Sequence, residues 1–204
     1  RQWETSLEHY DDAVDTYVTL RCYALTARAA LGRDDGLEEA VAEQWLIPSS
    51  LPDVCDPPFD WLRSRNLLTA ELIERRARMA LADGGPQLAR YLAKSLPART
   101  AAPLLQWAAL IERPERSIDD LLADEERAVE PAALLAGWTL LARGDPEGAA
   151  SRYAKLVETR DLQLQLARMP EVVVVEKGEQ LAARCLDAAI ARAPPRRPTG
   201  PCRP

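Results

Sequence analysis

The sequence predicts an all-α chain of stacked helical hairpins, and three observations carry that prediction. Ala and Leu dominate the 204 residues, while Phe occurs once. Three stretches repeat one order: helix, glycine, short polar turn, second helix. Only Val172 to Val175 reads as a β-branched run. Ala and Leu lose little side-chain freedom in a helix, whereas an all-β chain needs many more β-branched and aromatic residues.

Taken in order, an early helix is expected from about Leu7 to Leu20. The first hairpin runs from Tyr23 to Gly32, turns through Arg33-Asp34-Asp35-Gly36, and continues from Leu37 to Leu46. The second joins Arg78–Asp83 through Gly84-Gly85-Pro86 to Gln87–Ala93. The third joins Gly137–Arg143 through Gly144-Asp145-Pro146 to Glu147–Ala154. In each, glycine offers a left-handed C-cap, and Asp or Pro suits the opening of the next helix. Ala40, Ala89 and Ala149 fall where two helices would approach closely. They stand 49 and 60 residues apart, too irregular for a strict 34-residue array. The units therefore read as a degenerate, tetratricopeptide-like superhelix with an extra helix between hairpins.

Pro48 to Pro58, with four prolines, is expected to be a turn-rich crossing segment. Thr69 can cap a helix over Ala70–Leu81, with Glu71 and Glu74 favourably placed in its first turns. Pro97, Pro103, Pro114 and Pro131 punctuate further helices near their starts or ends. The superhelical domain is assigned to residues 1–170. Residues 171–204 are assigned to a divergent helix and a Pro/Arg-rich tail expected to be disordered. The chain begins at Arg1 rather than Met, which reads as a processed or excised segment.

A net charge of −6 excludes a general nucleic-acid binder, which needs a basic face. No apolar run approaches the ~20 residues of a membrane span. The four cysteines, Cys22, Cys55, Cys185 and Cys202, form no C-x-x-C pair, and the single histidine, His9, is remote from them in sequence. No metal site is expected, and each cysteine taken alone reads as structural. The acidic pairs Asp11-Asp12, Asp34-Asp35, Asp119-Asp120 and Glu125-Glu126 read as helix-end or solvated groups rather than carboxylates held across a cleft. Gly84-Gly85 is a helix C-cap rather than a phosphate loop. Trp3, Trp45, Trp61, Trp107 and Trp138 could stack on sugar rings, but beside Leu and Ala they read as core. Arg75-Arg76-Ala77-Arg78 could contact an anionic polymer, but it reads as a solvated helix face.

Between Cys22 and Pro97 the chain resembles a known family. The residues concerned are Arg21-Cys22-Tyr23-Ala24, Glu43-Gln44-Trp45-Leu46, Leu51-Pro52-Asp53-Val54-Cys55-Asp56-Pro57, Phe59-Asp60-Trp61-Leu62 and Ala89-Arg90-Tyr91-Leu92-Ala93. They are similar to the N-terminal superhelical, ring-forming domain of the soluble lytic murein transglycosylases, periplasmic enzymes that cleave peptidoglycan. The resemblance covers the first ~100 residues and extends more loosely to about Arg168. It implies a disulfide between Cys22 and Cys55, hence an oxidising compartment. The family's catalytic domain carries a Glu-Ser dipeptide and a Gly-Leu-Met-Gln stretch, and neither occurs here.

The resemblance thus implies a periplasmic, non-catalytic scaffold that guides murein glycan strands to an active site outside this chain. The parent reaction would be non-hydrolytic cleavage to a 1,6-anhydromuramyl end, by one acid–base glutamate and without cofactor or metal. The chain alone is expected to be inactive, and no residue is assigned to glycan contact. Protein partners are a further expectation, since the same repeats fit a stand-alone tetratricopeptide-like adaptor. The departure from the family after Met169 fits a truncated, divergent or decayed gene product.

Overall fold

The computed structural model describes residues 17–124 and 126–159, together with Glu4 and Leu7. Among the described residues it contains nine α-helices, one 3-10 turn and no strand. We number the helices α1 (Val18–Ala30), α2 (Leu37–Trp45), α3 (Asp56–Ser64), α4 (Ala70–Ala82), α5 (Pro86–Ala93), α6 (Ala98–Glu112), α7 (Pro114–Ala123), α8 (Pro131–Gly144) and α9 (Pro146–Thr159). The 3-10 turn, Asp53–Cys55, leads directly into α3. The chain divides into two compact units between Ala108 and Ala109.

In the first unit, α1 packs on α2, α3 and the 3-10 turn, and α4 packs on α5. In the second, α7, α8 and α9 pack on one another. The three expected hairpins are therefore α1–α2, α4–α5 and α8–α9. One helix separates the first two and two separate the last two, which accounts for the uneven spacing of the repeats. No helix among the described residues is long and apolar enough to cross a membrane.

The cores follow helical phase. In α2, Leu37, Val41, Gln44 and Trp45 are buried, and in α8 Leu134, Trp138, Leu141 and Ala142 are, the i, i+3, i+4, i+7 stripe of an amphipathic helix. Turn chemistry sets the ends. Gly32 has φ +66°, and its N–H and that of Arg33 return to the carbonyls of Ala29 and Arg28. Gly84, φ +78°, does the same with Gly85, to Leu81 and Ala80. Both are left-handed C-caps with paired return bonds. Thr69 caps α4, its hydroxyl oxygen accepting from the Leu72 N–H at 3.3 Å.

Several expectations need correction. Of the early helix expected over Leu7 to Leu20, residues 8–16 lie outside the described residues, and Val18–Leu20 belong to α1, which continues to Ala30. The Pro48–Pro58 crossing segment stops short: Pro57 and Pro58 lie in the first turn of α3, where a missing N–H has no helical partner to lose. Pro103 lies in the second turn of α6 rather than at an end. Gly144 is the last residue of α8 without a left-handed conformation. Asp145 alone joins α8 to α9, so no residues remain for a return cap, and Asp145 instead accepts from the Gly148 N–H at 2.9 Å. Ala40 is only half-buried, and its neighbour Val41 takes the core position. Residues 171–204 lie outside the described residues.

Candidate functional site

Cys22, on the inner face of α1, and Cys55, at the end of the 3-10 turn, are both fully buried. They are joined by a disulfide with Cα atoms 4.9 Å apart. The bond ties the entry of α3 to α1, and so fixes where the face of α3 is presented. Cys185 and Cys202 lie outside the described residues.

That face carries Asp56, Phe59, Asp60 and Arg63, spaced i, i+3, i+4, i+7, so all four point one way. Phe59 meets Trp45 of α2 edge-on, ring centroids 5.0 Å apart. Arg76 of α4 then covers the Trp45 ring, with its guanidinium carbon 4.3 Å from the centroid, and lies 5.8 Å from that of Phe59. Its Nε donates to the Ile47 carbonyl and its Nη2 to the Ser49 carbonyl, each at 3.2 Å. Arg76 is 4% exposed, which overturns its reading as part of a solvated face. The signal was present: Ile73, Arg76, Ala77, Ala80 and Leu81 form the buried stripe of α4, and Arg76 falls in its apolar phase. Burial pushes the Arg76 guanidinium below its ordinary value, although an arginine stays charged.

Arg76, Trp45 and the face of α3 line a cleft of about 460 Å³. Ser50 and Leu51 line it too, as do Gln87, Leu88, Tyr91 and Leu92 of α5. Asp60 pairs with Arg63 along α3. Tyr91 is 67% exposed, because α5 buries Ala89, Leu92 and Ala93 and position 91 falls out of that phase. A rigid ring on the lip of a cleft with a buried guanidinium can hold a small polar ligand by stacking and charge-assisted hydrogen bonds. These residues make this cleft the candidate site.

The tryptophans divide as their phases dictate. Trp45, Trp107 and Trp138 are buried. Trp61 is half-buried, under the Arg65 guanidinium 4.6 Å from its ring centroid. Asp34 sits in the α1–α2 turn and pairs with Arg65 at 3.1 Å. In the second unit Arg152 of α9 is the organising cation. It donates through Nε and Nη2 to both oxygens of Asp119, at 2.7 and 3.0 Å, and through Nη2 to Glu115 at 2.9 Å. This fork holds the Asp119 carboxyl below the usual carboxylate range and raises Arg152 further. It joins α9 to α7 and carries no reacting geometry. Among the described residues, no group of three or more His, Cys, Asp or Glu could hold a metal. Trp3, His9, Asp11, Asp12 and Glu125 lie outside the described residues.

No protein-family model matches the chain, and no curated protein matches it. Among solved structures it is similar to an inactive variant of the lytic transglycosylase Slt from Pseudomonas aeruginosa. The likeness has a TM-score of 0.58 and 18% identity, covering 93% of this chain and 36% of that one. The chain therefore spans little more than a third of the length of that protein. At this identity the likeness is one of fold, and it extends over nearly all of the present chain.

Proposed function

We propose that this chain is a non-catalytic helical scaffold of a peptidoglycan lytic transglycosylase, which works in the periplasm and guides murein glycan strands to an active site outside the chain. The fold likeness to Slt over 93% of the chain is the observation that carries this reading. Its 36% coverage of Slt agrees with a part that serves a larger enzyme. The Cys22–Cys55 bond supports an oxidising compartment, as the periplasm is. On this reading the helical hairpins supply a rigid frame, and the cleft beside Tyr91 and Arg76 is where murein touches it.

Co-sedimentation of the purified chain with murein sacculi tests the proposal. Retention on sacculi, without release of anhydromuropeptides, is the expected result. Full recovery in the supernatant under low and physiological salt would overturn the scaffold reading. Release of anhydromuropeptides, with contaminating enzymes excluded, would overturn the assignment of catalysis elsewhere.

A further inference from the structure

Arg76 has more hydrogen-bonding capacity than the fold uses. A buried guanidinium is ordinarily matched by a carboxylate, because an unpaired buried charge is costly. Arg76 is matched instead by two backbone carbonyls and two aromatic rings. Two of its five N–H donors are engaged, through Nε and Nη2, leaving three without a partner among the described residues. The buried, unpartnered side-chain nitrogens among the described residues are those of Gln44, Trp45, Trp61 and Trp107. Arg76 Nη1 is not one of them, and the space that Arg76 lines is the cleft.

The remaining charges on the cleft narrow its ligand. Asp60 is paired with Arg63, whereas Asp56 lines the same cleft, is exposed and has no ion-pair partner among the described residues. With that pair set aside, a polyanion would gain Arg76 and meet the charge of Asp56. A single carboxylate next to an N–H group would satisfy both Arg76 and Asp56, and an adjoining apolar part could lie on the Tyr91 ring. We infer that the cleft binds a carboxylate with a neighbouring N–H, Arg76 holding the carboxylate, Asp56 accepting from the N–H and Tyr91 stacking on the remainder. Two sources carry this chemistry, an N-acyl amino acid at a peptide end and a carboxylated N-acetyl amino sugar. The inference deepens the murein reading and rests on it for the choice of these sources.

The test is a nitrogen–proton NMR titration of the full chain with N-acetyl-D-alanine, N-acetylmuramic acid and, as the carboxylate-free control, N-acetylglucosamine. Binding of either carboxylate, with shifts at the Trp45 indole and little response to the control, is expected. Response to the first alone assigns a peptide end, and response to the second alone assigns the sugar acid; either supports the inference. Arg76→Lys loses the fork, so affinity should fall by roughly tenfold. Asp56→Asn and Tyr91→Ala alter exposed groups and should each weaken binding by about threefold or more without lowering the melting temperature appreciably. These two keep the test decisive if Arg76→Lys melts early. No binding of either carboxylate, equal binding of the control, or unchanged affinity in both surface variants overturns the inference. Sacculi retention without cleft binding would overturn this inference and the cleft as the murein contact while leaving the scaffold reading, and cleft binding without retention would overturn the scaffold reading alone.

Discussion

Gly137 of α8 lies so close to Leu110 of α6 that a Cβ at position 137 would stand 2.9 Å from the Leu110 Cβ and 3.1 Å from its carbonyl oxygen. Leu110 is fully buried, so it cannot withdraw into solvent. Replacing Gly by Ala inside a helix ordinarily stabilises by roughly 1 kcal/mol. Here overpacking costs about 1–3 kcal/mol and wins. Gly137→Ala should therefore melt lower than the parent. Gly144→Ala, at the end of the same helix with open space around it, should melt at the same temperature or higher. Equal melting shifts in the two variants would mean that the Gly137–Leu110 approach is not tight.

The Cys22–Cys55 bond closes a loop of 33 residues, for which the chain-entropy estimate gives a stabilisation of about 3.7 kcal/mol. Cys22→Ser/Cys55→Ser should lose stability of that order, and reductant should lower the melting temperature of the parent but not of the double variant. Peptide mapping without reduction should recover the two cysteines as one linked species. Recovery of both as free thiols from material folded in an oxidising compartment would contradict the bond.

The Arg152 fork gives a pH dependence whose sign is fixed. Asp119 has its folded value depressed, so its contribution is present above the ordinary aspartate value near 4. It is lost as pH falls through the lower folded value. Half of the Asp119 side chain is exposed, which limits the effect to roughly 1 kcal/mol or less. Arg152→Met should lower stability at pH 7 by that amount, and the gap from the parent should close towards pH 3. Urea melts at both pH values measure it; a gap that stays constant would show that the loss came from packing instead.

The helices were legible in the sequence because their signals are local. Ala and Leu content, the glycines at 32 and 84, and the Thr69 cap each act within one or two turns. The Asn66 C-cap was not read, although it ends α3 with φ +58° and return bonds from Asn66 and Leu67 to the carbonyls of Arg63 and Leu62. Arg76 was misread because four neighbouring residues, taken as a charge cluster, hid the helical phase of each. The cleft itself was not legible. It needs residues of α3 and α5 brought to one cleft, and that is a tertiary fact which no spacing within either helix encodes.

Phase within the hairpins also sharpens the last prediction. Ala89 and Ala149 are 1% and 0% exposed, so their methyl groups set the spacing against neighbouring helices. Ala89→Leu and Ala149→Leu should each overpack and cost about 1–3 kcal/mol. Ala40 is half-buried and sits one position before Val41, which is fully buried. Ala40→Leu can turn its added atoms outward, so it should cost no more than about 0.5 kcal/mol, in the range of Glu38→Leu and Glu147→Leu on exposed positions. Thermal melts of the five variants separate these classes. If Ala40→Leu melts as low as Ala89→Leu, the register of α2 against α1 is displaced by one residue from that described, with position 40 rather than 41 facing inward.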